Sequence, residues 1–279
     1  MADLMNIFSY AFIQRALAVG FLISLCAALL GVILVQKRYS LIGHGLGDVG
    51  FASTSLAVAL GLPILPVSIP IVVVAACAIM FYSQRVKSSG DIAIGMVATG
   101  SLAVGVVITA VSGGFNVDVS DYMFGSILAM SDADVILSLI LSAVIIILFV
   151  LCYNRLFLVT SDETFAKACG VRVGFYQFVI ALLTALTVVL GMRMMGSLLI
   201  SSLIIFPAVT AGKLVNSFKA VVCTSVLLSM ACFFLGILLS FQVNLPAGAS
   251  IVLVNLAVLL IVMAARRIIS KAFSTPKAR

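Results

Sequence analysis

Residues 16–35 read ALAVGFLISLCAALLGVILV, twenty consecutive positions without a charged side chain. At about 1.5 Å of rise per residue such a helix spans about 30 Å, the thickness of a bilayer's hydrocarbon core. The stretch therefore reads as a transmembrane helix. Seven further uncharged runs repeat it, at 64–82, 92–111, 135–153, 175–192, 194–212, 220–241 and 246–265. A ninth run, 41–62, is as long but contains His44 and Asp48. With 64% hydrophobic and 9% charged residues, the 279-residue chain falls far below the roughly 25% charge of soluble domains. The reading is all-α: one polytopic transmembrane bundle of about eight or nine crossings over residues 1–279, with no room for a separate soluble catalytic domain.

Nine crossings put the termini on opposite sides. With the N-terminus outside and the C-terminus inside, every one of the 16 basic residues except Arg15 and Arg193 falls on the inner face, as the positive-inside rule requires. The formal charge of +7 is thereby explained by orientation, and nucleic acid is not expected as a partner. The N-terminus has no basic region followed by a small-residue cleavage site, so no removable signal peptide is expected. The outer loop after Val111 carries Asp118, Asp121, Asp132 and Asp134 without Lys or Arg. Its apolar middle, YMFGSILAM, fits a short re-entrant or interfacial helix whose ends protein must cover. Six cysteines without CxxC spacing read as reduced, space-filling thiols.

The one histidine and a carboxylate share the ninth run. His44 and Asp48, in GHGLGD, are four residues apart and so lie on one helix face. An ionisable group in hydrocarbon costs several kcal/mol unless it meets a partner or a wet path, so this face must turn inward. Imidazole with carboxylate suits a borderline divalent ion such as Zn²⁺ or Mn²⁺, and two ligands make a loosely holding site of the kind a transport path needs. The plainer alternative is that the two side chains bond only each other, or cap the helix start.

A second informative segment is NRLFLVTSDETFAKACGVRVG, 154–174, on the inner side. Thr160 and Glu163 have capping-box spacing, Asp162 and Glu163 favour a helix N-terminus, and Gly170 can end the helix. A short helix over 161–169 is predicted outside the membrane. It is either a knob for a partner's groove, through Asp162, Glu163, Phe165, Ala166, Ala168 and Gly170, or an ordinary amphipathic linker. A third segment, 194–212, adds Ser197, Ser201, Ser202, Thr210 and Pro207 to a crossing: a pathway wall, or hydroxyls bonded to their own helix. No Walker A loop, HExxH, GxSxG or CxxCH is present, so energy must come from an ion gradient or a separate ATPase.

Six segments in order resemble the integral membrane permease subunits of zinc, manganese and iron ABC importers. They are GHGLGDVGF, DIAIGMVATGSLAVGVVI, DYMFGSILAMSDADV, SDETFAKACGV, GSLLISSLIIFPAVTAG and NLPAGASIVLV. The resemblance covers nearly the whole chain. It implies a multi-pass permease in the plasma or inner membrane, surrounded by lipid and paired with a second copy, most simply as a homodimer. It further implies cytoplasmic ABC ATPase subunits gripping the segment from Asp162 to Gly170, and an extracellular or periplasmic metal-binding protein. The chain itself would be a transporter subunit with no permanent cofactor, passing Zn²⁺, Mn²⁺ or Fe²⁺ through His44 and Asp48. The family pattern places Asp first and His four residues later, and here the order is exchanged. Other readings are an ion-gradient-driven secondary metal transporter, an ABC permease for an iron chelate and a non-transporting membrane scaffold or enzyme.

Overall fold

The computed structural model describes residues 11–85, 90–112, 132–243 and 245–273, which contain ten helices and no strand. These are α1 (Ala11–Gln36), α2 (Ile42–Ala59), α3 (Ile64–Arg85), α4 (Gly90–Val111), α5 (Asp132–Ser161), α6 (Glu163–Ala168), α7 (Val173–Met195), α8 (Ser197–Leu214), α9 (Phe218–Val243) and α10 (Ala247–Phe273). All but α2 and α6 carry a run of 18 to 27 residues apolar enough to cross a bilayer. Apart from the helix ends and the turns before internal prolines, an all-helical bundle satisfies its backbone donors and acceptors within each segment, which hydrocarbon demands.

α2 is the less apolar helix that sequence marked as the ninth crossing. It escapes lipid by enclosure: α3, α4, α7 and α8 all pack on it, and Ile42, Leu46, Val49 and Phe51 are buried. The bundle is built around α1, α7 and α8, where Leu30, Ile33, Leu34, Ile180, Leu183 and Leu203 are fully enclosed. α4, α5 and α10 are peripheral, exposing Val107, Leu151 and Ile261 on the surface that a bilayer covers. Apolar burial does not drive helix association in lipid, so close packing and interhelical hydrogen bonds must. Ser24 of α1 and Ser229 of α9 supply one such bond at 2.7 Å, and the Ser225 hydroxyl reaches the Ala28 carbonyl at 3.4 Å.

Among the described residues four helix ends turn through a residue of positive φ; Gly196 (φ 87°) separates α7 from α8, and the other three share one paired hydrogen-bond pattern. After α2 it is Gly61 (φ 65°), with Leu62 N–H donating to Ala57 O and Gly61 N–H to Val58 O. After α6 it is Gly170 (φ 75°), with Val171 bonded to Ala166 and Gly170 to Lys167. The same paired pattern closes α1, Tyr39 to Leu34 and Arg38 to Val35, but Arg38 (φ 60°) occupies the position that glycine normally takes. An L side chain there costs about 1 kcal/mol.

The structure corrects one detail of the inner segment. The predicted helix over 161–169 is Glu163–Ala168, and the Thr160–Glu163 capping box does not form. α5 continues through Ser161, so Thr160 lies within a helix and its hydroxyl bonds back to the Leu156 carbonyl at 2.7 Å. Asp162 caps α6 instead, its carboxylate accepting from Thr164 N–H and Phe165 N–H at 2.8 and 3.0 Å. Asp118, Asp121 and the apolar stretch 122–130 lie outside the described residues. All six cysteines are free thiols.

Candidate metal path and coupling segment

The site begins with three glycines. Gly43, Gly45 and Gly47 are buried in the first two turns of α2; a neighbour crowds the place of a side chain at Gly45 and Gly43, and Gly47 lies at ordinary contact distance. A Cβ on Gly43 would lie 3.1 Å from Ile204 Cδ1, on Gly47 3.4 Å from Ser197 Cβ, both in α8, and on Gly45 2.8 Å from Ile94 Cγ2 in α4. With those sides filled by α8 and α4, the helix leaves the stripe carrying His44, Asp48 and Ala52 open.

The His44 side chain is 64% exposed and that of Asp48 is 15% exposed, with Nε2 and Oδ2 3.9 Å apart. That separation is too long for a hydrogen bond. It is shorter than two metal–ligand bonds of about 2.0–2.2 Å laid end to end, so one divalent ion could touch both atoms. The stripe continues along an apolar cleft of about 400 Å³ between α2, α3 and α4, lined in part by Ala52, Leu56, Ile71, Met96, Gly100 and Val104. The hydroxyls of Ser53 and Ser101 are the polar side chains of this wall, and that of Ser53 donates to the Gly50 carbonyl at 2.8 Å. Among the described residues no group of three or more His, Cys, Asp and Glu side chains comes together, so His44 and Asp48 are the two side chains of these types that one chain contributes here.

Two hydroxyls of α8 are committed locally. Ser201 donates to the Ser197 carbonyl at 2.8 Å and Ser202 to the Leu199 carbonyl at 2.9 Å. Pro207 lies inside α8.

The inner segment has two faces. Asp162, Phe165, Ala168 and Gly170 are exposed, Phe165 by 56%. Ala166 is buried in a small cluster with Val159, Val171 and Val173. Glu163 is half-exposed but bonded back to the bundle. Its Oε1 accepts from Lys37 Nζ at 2.7 Å and from Gln177 Nε2 at 3.0 Å, joining α6 to the end of α1 and to α7. Partial burial pushes the Glu163 carboxyl up, but the Lys37 bond and charge, with Gln177 and Lys167, outweigh it and hold the group below the usual glutamate range.

Sequence reasoning missed Lys37 and Gln177. Lys37 lies 126 positions from its partner and reads as a simple inside marker, and Gln177 is one polar residue at the start of an apolar crossing. No local signal joins them.

Residues 9–266 match the model of the ABC 3 transport family. The chain is 30% identical to the high-affinity zinc uptake system membrane protein ZnuB of Haemophilus influenzae, over 85% of this chain and 91% of that one. It is 27% identical to the manganese transport system membrane protein MntC of Halalkalibacterium halodurans, over 89% and 85%. Its structure superposes on a chain of PsaBC from Streptococcus pneumoniae, solved in complex with Fab, with a TM-score of 0.82 and 28% identity across 99% and 96% of the two chains. The helical order, the eight apolar spans and these likenesses agree: the chain is a multi-pass membrane protein and belongs to the ABC 3 transport family.

Proposed function

We propose that this chain is the membrane permease of an ATP-driven importer that moves a divalent transition metal, Zn²⁺, Mn²⁺ or Fe²⁺, into the cytoplasm. The observation that carries the reading is the open His44–Asp48 pair on a helix whose other faces are packed. Family membership and relatives named for zinc and manganese transport support it.

The N-terminus is outside and the C-terminus inside, with α6 facing the cytoplasm. An extracellular binding protein delivers the ion, and a second copy of the chain pairs with the first so that two His44–Asp48 pairs can face one path. Imidazole and carboxylate replace part of the ion's hydration shell, and a two-donor site per chain binds weakly enough to release it. Two cytoplasmic ATPases grip the exposed face of α6, from Asp162 through Phe165 and Ala168 to Gly170. Closure of these subunits on ATP moves α6 and rocks the bundle between outward-open and inward-open states.

The test is metal uptake by the permease reconstituted with its ATPase. The double variant H44A/D48A should lose uptake of Zn²⁺ and Mn²⁺ while still co-purifying with the ATPase. Normal uptake by that variant refutes the site, and uptake that survives without any ATPase assigns the chain to gradient-driven transport.

A further inference from the structure

We infer that Lys37, Glu163 and Gln177 form a strut that makes α1 and α6 move as one body, with Lys37 the positioning residue that carries motion of α6 into the centre of the bundle. The inference rests on the reading of α6 as the ATPase contact.

α6 has six residues, too few to hold a stiff helix by its own hydrogen bonds. What fixes it is its attachments. The Asp162 cap is internal to it, and the cluster of Val159, Ala166, Val171 and Val173 joins it only to the adjacent ends of α5 and α7. Among the described residues, the ion pair is the side-chain bond that carries α6 to an element distant in sequence. Lys37 is 6% exposed at its side chain while Glu163 is 44% exposed. An ammonium withdrawn from water this far resists losing its carboxylate, because separation would leave it buried and unpaired. Such a pair transmits displacement instead of yielding to it.

The position of Lys37 is itself held at a cost. It is the last residue before Arg38, whose left-handed backbone closes α1 where the equivalent turns of α2 and α6 use Gly61 and Gly170. Strained backbone of this kind persists where its surroundings over-determine it. Beyond Lys37 the contacts continue. α1 packs on α5, α7, α8 and α9. Gly31 of α1 lies against the Ile204 carbonyl of α8, and the Ile204 side chain in turn reaches Gly43 of α2, next to His44. The strut thus feeds a contiguous line of packed atoms from α6 to the open pair on α2.

The experiment uses the full-length permease with its ATPase in proteoliposomes, reading Mn²⁺ and Zn²⁺ uptake and ATP hydrolysis on the same vesicles. Lys37→Met and Glu163→Gln should leave the complex assembled and hydrolysis within about twofold of wild type, while ions moved per ATP fall about tenfold. The charge exchange K37E/E163K should restore most of that ratio. An unchanged ratio, uptake and hydrolysis falling in parallel, or an exchange that recovers nothing overturns the strut. Should Lys37→Met fail to assemble, Glu163→Gln supplies the same readout, since it removes the carboxylate's charge at nearly unchanged side-chain size. Failure of both to assemble would make the pair a folding element only and also overturns the proposal. A wild-type complex that moves neither metal removes the transport reading and the strut with it. A working wild type with unaltered variants removes the strut alone.

Discussion

Gly31 of α1 and Ile204 of α8 meet backbone to backbone: a Cβ at Gly31 would fall on the Ile204 carbonyl oxygen. A flexible side chain could swing away from such a clash, but a helical carbonyl cannot. Gly31→Ala must therefore push two central helices apart, which we expect to cost about 1–3 kcal/mol, the range for overpacking a core. Thermal unfolding of the detergent-solubilised protein checks this. Gly212→Ala is the control: nothing lies within 4 Å of its Cβ position, and the midpoint should hold or rise slightly.

Asp162→Ala removes the acceptor for two backbone N–H groups at the start of α6, a loss worth about 1 kcal/mol. The Thr164 and Phe165 amides should then exchange with solvent about fivefold faster, while Asp162→Asn, which still presents a carbonyl oxygen, stays near wild type. Hydrogen exchange followed by mass spectrometry reads both.

Glu163 gives the strut a defined pH response. Its carboxyl is held below the usual glutamate range, against the upward push of burial, by Lys37, Gln177 and Lys167. The folded chain thus favours the ionised form more than the unfolded chain does. The resulting stability is fully present above the ordinary glutamate value and is lost as pH falls through the lower, folded value. Protection of α6 amides should persist through neutral and mildly acidic pH and fail only in strong acid. In Lys37→Met the loss should begin at higher pH, because the principal stabiliser of the carboxylate is gone. An identical pH profile for the two proteins would contradict the assignment.

His44 and Asp48 should set metal preference. Imidazole suits Zn²⁺, while a site of carboxylates suits the harder Mn²⁺. His44→Asp should therefore shift competition uptake toward Mn²⁺ and away from Zn²⁺. The exchange H44D/D48H, which keeps both ligand types on one face, should transport both ions.

Much of this protein is decided locally. Hydrophobicity over about twenty residues is enough to mark a crossing, so the eight apolar spans were readable from the chain. So was the shared face of His44 and Asp48, because a spacing of four is a property of any helix. The start of α6 is ambiguous in the sequence for an equally local reason: Thr160 and Asp162 are both good caps, and only the extension of α5 to Ser161 chooses between them.

What tertiary structure alone decided is which polar groups meet and which surfaces stay open. Nothing within a short window tells that Lys37 faces Glu163 across 126 positions, or that Ala166 turns inward while Phe165 turns out. The enclosure of α2 by four helices, leaving one stripe free, likewise depends on where glycines of one helix meet atoms of another. Hydropathy and capping act over one or two turns, whereas ion pairs and backbone contacts between helices exist only once the bundle has closed.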